Sequence, residues 1–176
     1  MENELYQPRE DSLLLEKHVK KFAKGLVLDI GTGSGIQAKA AAERANSVIA
    51  TDINQEAIDF CKENIKSEKI KFIVSDLFSN IRDIVFDTII FNPPYLPDDK
   101  NKDVALDGGK KGYELIERFL SKAKKFLAED GIILLVFSSF TDKKKVDKLI
   151  KQNGFKAEEL ERIHVSFEDV CCYKIT

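Results

Sequence analysis

Residues 26–35 read Leu26-Val-Leu-Asp-Ile-Gly-Thr-Gly-Ser-Gly35, a short apolar run that breaks into glycines at positions 31, 33 and 35. A run this short and apolar predicts a strand buried on both faces, and the helical spacing that begins at Gly35 makes the glycines a strand-to-helix turn. Glycine allows so tight a turn while leaving room for a ligand against the backbone. The pattern repeats outward. Apolar runs at 26–30, 47–51, 70–74, 86–91 and 131–137 alternate with amphipathic stretches at 35–44, 55–66 and 113–127. This alternation predicts an α/β fold in which each crossover carries one helix and the sheet is doubly wound. A polar, lysine-rich helix follows at Lys143–Gln152, stopped by Asn153-Gly154, and two further strands at 155–163 and 170–175 predict a closing hairpin.

The chain has 176 residues, 43% hydrophobic and 33% charged, with nine glycines and four prolines, which excludes collagen, disorder and most two-domain enzymes. No repeat or flexible linker interrupts it, so residues 1–176 are expected to form a single domain with a short amino-terminal extension over about the first 25 residues. With 28 Lys and Arg against 30 Asp and Glu, the net charge of −2 offers no broad attraction to a polyanion. Cys61, Cys171 and Cys172 make neither a disulfide framework nor a metal-ligand spacing, and no metal site is expected. Their reduced state, the polar start and the lack of a long apolar run predict a soluble, cytoplasmic protein without a membrane span. His18, within Glu16-Lys-His-Val-Lys20, is expected to face solvent, and His164 to be structural or exposed.

Three acids stand where strands end. Asp29 lies two residues before the first glycine, where its charge would repel a pyrophosphate and suit a cation, which favours an adenosyl-sulfonium ligand over a dinucleotide. Asp52 follows about 20 residues after the glycines, the position from which a carboxylate accepts both ribose hydroxyls of an adenosine. Asp76 closes the third strand, where it can accept from an adenine amino group while Leu77 covers the ring. The fourth strand ends in Asn92-Pro-Pro-Tyr95. Two prolines hold this segment stiff and remove its N–H donors, so it presents acceptors. An amide or exocyclic amino nitrogen is a poor nucleophile because its lone pair is delocalised. The Asn92 side-chain oxygen and the Pro93 carbonyl, binding its two N–H groups, can turn that lone pair toward an electrophile, with Tyr95 flat against the planar group.

With these residues assembled, the chain resembles the class I S-adenosylmethionine-dependent methyltransferases, and more narrowly the HemK-type glutamine N5-methyltransferases that modify the Gly-Gly-Gln tip of translation release factors. The likeness rests on Asn92–Tyr95, on Tyr6-Gln-Pro-Arg-Glu-Asp-Ser12 and on Leu106-Asp-Gly-Gly-Lys-Lys-Gly112. It extends over nearly the whole chain and is nearest to the short archaeal and eukaryotic branch, which lacks the helical amino-terminal domain of bacterial members. The resemblance implies a Rossmann-like sheet of seven strands in the order 3-2-1-4-5-7-6, mostly parallel with the last strand antiparallel, and helices on both faces. It implies that Ser12, Asp29, Gly31, Gly33, Gly35, Asp52, Asp76, Leu77 and Asn92 contact S-adenosylmethionine. It likewise implies that Asn92, Pro93, Pro94, Tyr95 and Leu96 hold the glutamine amide, with Asn92 and Pro93 as the catalytic pair. Asp29 stands where many relatives carry Glu, and Asp107 where they often carry a small residue. Members of the short branch act with a small zinc-binding activator protein. The strand Ile70–Val74, at a sheet edge in this order and interrupted only by Lys71, is the surface where such a partner is expected to add a strand, unless the preceding helix and the 80–85 loop already cover it.

Two rival readings use the same residues. The Asn-Pro-Pro-Tyr loop also occurs in methyltransferases acting on adenine N6 or guanine N2 of DNA or RNA. The lysines of the 141–156 stretch are interleaved along one helix, followed by an acidic stretch, and no aromatic-rich strand accompanies them, so the charge pattern favours a protein substrate. A non-catalytic subunit that binds the cofactor is the other reading, opposed by the intact Asn92, Pro93 and Pro94.

Overall fold

The computed structural model describes residues 9–94 and 112–176. Its seven strands are β1 (Leu26–Ile30), β2 (Ser47–Asp52), β3 (Ile70–Val74), β4 (Phe86–Phe91), β5 (Leu127–Ser138), β6 (Ala157–Val165) and β7 (Glu168–Ile175). The helices are α1 (Glu10–Phe22), α2 (Ile36–Ala42), α3 (Gln55–Asn64), α4 (Glu114–Phe126) and α5 (Lys143–Gln152). One sheet runs β3-β2-β1-β4-β5-β7-β6. β3 through β5 pair in parallel, and β7 runs antiparallel to both neighbours, as the sequence led one to expect.

Both faces of the sheet are covered, which is why the central strands read as unbroken apolar runs. On one face α4 and α5 bury Ile116, Phe119, Leu120, Val146 and Ile150 against Leu28, Ile89 and Leu135. On the other, α1 and α2 bury Leu15, Val19, Ala38 and Ala41 against Val27, Val48, Ile90 and Val136. The alternation along β7 divides the adjacent cysteines, Cys171 into the first layer and Cys172 into the second. α5 ends where Asn153-Gly154 was expected to end it, with Gly154 at φ +77°.

Three expectations are corrected. β5 begins at Leu127, four residues ahead of the predicted start, because Leu127 already pairs with Phe86 and a register shift absorbs the polar Glu129-Asp130. A side chain at Gly131 would press on Leu127 and the Ala128 carbonyl at that shift. The hairpin strands are likewise displaced: β6 starts at Ala157, after the Gly154 turn, and β7 gains Glu168 and Asp169 through pairing with Val165 and His164. His18 is buried, its Nε2 2.8 Å from Glu161 Oε2, because α1 lies across β5 and β7 and turns its Leu14-Leu15-His18-Val19 face inward; the flanking lysines concealed that face. His164 is exposed, paired with Asp169. No helix among the described residues is long and apolar enough to cross a membrane.

An aromatic stack ties α4 to the strand that carries the Asn92 loop. Phe119 lies 4.5 Å from Phe91 and 5.6 Å from Phe78 between ring centroids, and Phe78 lies 4.5 Å from Phe126. Phe119→Ala is expected to lower stability by about 3–5 kcal/mol, because a fully buried ring leaves a cavity its neighbours cannot close. Urea denaturation with an unchanged m-value checks this.

Candidate active site

Strand register sets the site. Ile30 stands beside Thr51 on one side and Phe91 on the other, and Asp52 beside Val74, so β1 to β4 all end at one level. The turns that follow carry Gly31–Gly35, Asp52–Asn54, Asp76–Leu77 and Asn92–Pro94, gathered along one edge of the sheet.

The glycine turn is held from three sides. Thr32 N–H donates to the Thr51 carbonyl at 2.8 Å, Gly33 N–H donates to Asp52 Oδ2 at 2.9 Å, and the Cys61 thiol of α3 reaches the Gly33 carbonyl at 3.3 Å. Gly33, at φ +50°, has open space where a side chain would project, so the backbone there is free for a ligand to approach. Gly35, at φ +79°, has no such space: a methyl group would strike Ile65 and lie 3.1 Å from Cys61 Sγ. Gly35 therefore serves the packing of α2 on α3, whereas Gly33 serves the open side. Asp52 also accepts from Asn54 N–H at 2.9 Å through Oδ1. Two backbone donors thus aim its carboxylate, and each oxygen retains a further lone pair.

Asp29 is buried beneath the turn, where its Oδ2 accepts from the Thr32 hydroxyl at 2.7 Å. Burial pushes its carboxyl up to about 7, opposed by the Thr32 hydroxyl, reinforced by the charge of Asp52 and opposed again by Ala38 N–H in the first turn of α2. Asp76 is half exposed and forms an ion pair with Arg118 of α4 at 2.7 Å, a partner that sequence spacing did not reveal. Leu77 is buried at φ +50°, in a turn closed by the Ser75 hydroxyl donating to its carbonyl. Ile53, directly after Asp52, leaves 57% of its surface exposed and is an apolar wall that the sequence reading passed over.

Asn92 lies beside the glycine turn, its own carbonyl 4.0 Å from where a Gly31 side chain would begin. Its Nδ2 donates to Asp11 Oδ2 at 3.1 Å and approaches Ser12 Oγ at 3.4 Å. Asp11 and Ser12 are both buried in the first turn of α1. A carboxylate only accepts, so Asp11 fixes which end of the amide faces it. The other end, Oδ1, is buried with no hydrogen-bond partner among the described residues, an acceptor left for something else to satisfy. Asp11 is a site residue that sequence reasoning missed, since it meets Asn92 from 81 residues away and no local pattern reports that contact. Gln37 of α2 steadies the same turn by donating to the Ser12 carbonyl at 2.8 Å. Pro93 is buried and Pro94 half-buried, whereas Tyr95 and Leu96 lie outside the described residues, as do Tyr6–Pro8 and the 106–111 segment.

An edge lined by acceptors, beside an open glycine turn, agrees with what comparison with known proteins finds. The family model "Methyltransferase small domain" matches residues 10–163. The chain belongs to that methyltransferase family. An N5-glutamine methyltransferase of Methanocaldococcus jannaschii, so assigned by inference, is 38% identical over 95% of this chain and 89% of its own length. The release factor glutamine methyltransferase of Aquifex aeolicus is 32% identical over 84% of this chain, which spans 59% of that relative. Among solved structures, the E. cuniculi Mtq2–Trm112 complex, responsible for methylation of the termination factor eRF1, superposes with a TM-score of 0.80 at 26% identity, over 97% of this chain and 96% of the other. Within the methyltransferase fold, the acids and Asn92 occupy the edge where the strands end.

The raised Asp29 carboxyl has a measurable consequence. The unfolded chain releases this proton near pH 4, but the folded chain keeps it to about 7, so the folded state binds more protons in that window. This contribution to stability is full below about pH 4 and is lost as pH rises toward about 7. Asp29→Asn is expected to remove that slope, gaining on the wild type as pH rises from about 4 to about 7 in urea denaturation.

Proposed function

We propose that this chain transfers a methyl group from S-adenosylmethionine to a glutamine side-chain nitrogen of a translation release factor, within a single domain. The observation that carries the reading is the buried, unsatisfied Asn92 Oδ1, turned away from Asp11 and followed by two prolines that cannot donate. The relatives named as glutamine methyltransferases support the substrate class. The residues present also fit the cofactor: open backbone at Gly33, unfilled acceptor capacity on Asp52, the exposed apolar Ile53 beside it, and a buried carboxyl at Asp29 suited to a cation. Gly31, Gly33 and Gly35 shape the cradle. Asp52 would accept the ribose hydroxyls, Asp76 the adenine amino group with Leu77 and Ile53 against the ring, and Asp29 and Ser12 would flank the methionyl end. When bound, S-adenosylmethionine supplies a methyl group on a positively charged sulfur.

The work of the chain is then to orient the glutamine. Asn92 Oδ1 and the Pro93 carbonyl accept the two amide N–H bonds, which turns the nitrogen lone pair out of conjugation, and Pro94, Tyr95 and Leu96 complete the holder. The two acceptors strengthen as positive charge grows on nitrogen, so no strong base need act before transfer, and the surplus proton leaves afterwards. Nucleic acid as the substrate is the less favoured reading, because the acids Asp11 and Asp52 stand at the site edge.

The two ends of the sheet differ. β6 turns the charged Glu158 and Arg162 and the polar His164 outward, whereas β3 offers half-buried Ile70, Phe72, Ile73 and Val74 around exposed Lys71, beside a groove of about 500 Å³ that includes Ile65 and Phe72. The 80–85 loop reaches the end of β3, where Asn80 Nδ2 donates to the Val74 carbonyl. This contrast and the two-protein assembly of the E. cuniculi relative support a small zinc-binding activator adding a strand along Ile70–Val74.

Incubation with labelled cofactor and a release factor, followed by mass analysis of the Gly-Gly-Gln peptide, tests the reading; label in nuclease-sensitive material instead would refute it. Asn92→Ala should lower the single-turnover rate by about 10²–10³ while weakening cofactor binding far less, and Asp52→Ala should weaken calorimetric cofactor binding by about 1.5–3 kcal/mol per lost hydrogen bond. Phe72→Lys should abolish activator binding without changing cofactor affinity; co-purification that survives it would exclude β3 as the interface.

A further inference from the structure

Three large apolar side chains stand exposed beside the active edge: Leu13 at 55%, Phe140 at 49% and Phe167 at 92%. Leu13 directly follows Asp11 and Ser12, whose side chains reach Asn92. One helical turn further along the same face of α1, Lys17 pairs with Glu161 of β6 at 2.8 Å, which sets Leu13 abreast of Ile163, two residues up the strand on the same side. Val165 continues that side, Ile163 and Val165 being half-buried against the core layer beneath α1 with their outer parts left open, and exposed Phe167 caps it in the two-residue turn that joins β6 to β7. Phe140, just after β5, is tied to the same turn, because the Ser138 hydroxyl bonds the Glu168 carboxylate and Ser139 Oγ accepts from Asp169 N–H at 3.0 Å. An apolar strip therefore leads from the first turn of α1, which holds Asn92, to the tip of the hairpin.

Nothing in the fold requires Phe167 to be aromatic. A turn between two strands favours small polar residues, and a fully exposed ring contributes no packing. The Asn92 loop grips only an amide, which every glutamine possesses, so the choice among proteins must be made elsewhere. Glu10 and Glu168 flank the strip, and their carboxylates would repel a phosphate backbone.

We propose that Leu13, Ile163, Val165 and Phe167, with Phe140 beside them, form the docking surface for the body of the protein substrate, seating it so that its glutamine reaches Asn92. The inference rests on the reading of the chain as a protein glutamine methyltransferase. The substrate presents an apolar patch next to the loop that carries the target residue, and Phe167 enters it as the principal anchor.

The test compares an intact release factor with a short peptide carrying the same glutamine, using the full chain with Leu13→Ser and Phe167→Ser, both at exposed positions. Each variant is expected to raise KM for the intact factor by about tenfold, leaving kcat, cofactor affinity and transfer to the peptide unchanged. Equal kinetics on the intact factor would overturn the surface while leaving the glutamine reading in place, as would an equal loss on the peptide. A wild-type chain that methylates neither protein nor peptide, or only nucleic acid, would remove the reading and the surface together.

Discussion

A parallel sheet covered on both faces has room for polar chemistry only where its strands stop, and here the stops are held level by register. With Ile30 fixed between Thr51 and Phe91, a single residue of slippage in β2 or β4 would withdraw Asp52 or Asn92 from the edge and turn its neighbours to the wrong layer. The stack of Phe91, Phe119 and Phe78 opposes that slip on one face, and the alanine-rich α2 and the first turns of α1 oppose it on the other. Site geometry is therefore a consequence of core packing, transmitted through strands too short to bend.

The edge so formed is an array of acceptors. Asp29, Asp52, Asp76 and Asn92 Oδ1 lie along it; backbone N–H groups aim the Asp52 carboxylate without neutralising it, the Thr32 hydroxyl donates to Asp29, and Arg118 pairs with Asp76. Such an edge suits ligands rich in N–H and O–H groups and positive charge. The cost falls on Asp29, whose burial holds its proton to about 7. A cation brought beside it would reverse that balance, so ligand binding and the ionisation of Asp29 are coupled.

The two ends of the sheet are unlike in charge and apolar exposure. The β3 end exposes an open, apolar ladder beside a groove, and the β6 end protects its ladder with charge while displaying apolar side chains at the hairpin tip. The two surfaces lie on opposite sides of the active edge, so an added strand along β3 leaves the path from α1 to Phe167 unobstructed.

Sequence alone determined the elements, because periodicity is a local property: the apolar runs became β1 to β5, Asn153-Gly154 stopped α5, and residues 157–175 folded as a hairpin. It also marked which turns depart from core chemistry, since glycines, prolines and acids at strand ends serve backbone or surface rather than core. Where β5 starts was illegible, because the polar Glu129-Asp130 imitates a turn and only pairing with Phe86 makes it strand. The burial of His18 was concealed by flanking lysines, and its environment comes from Glu161, 143 residues away. Asp11 beside Asn92 and Arg118 beside Asp76 depend on where α1 and α4 come to rest on the sheet. Spacing along the chain states which groups are present; which of them is left without a partner, as Asn92 Oδ1 is, was decided only by tertiary packing, because satisfaction of a hydrogen bond depends on atoms that are neighbours in space and not in sequence.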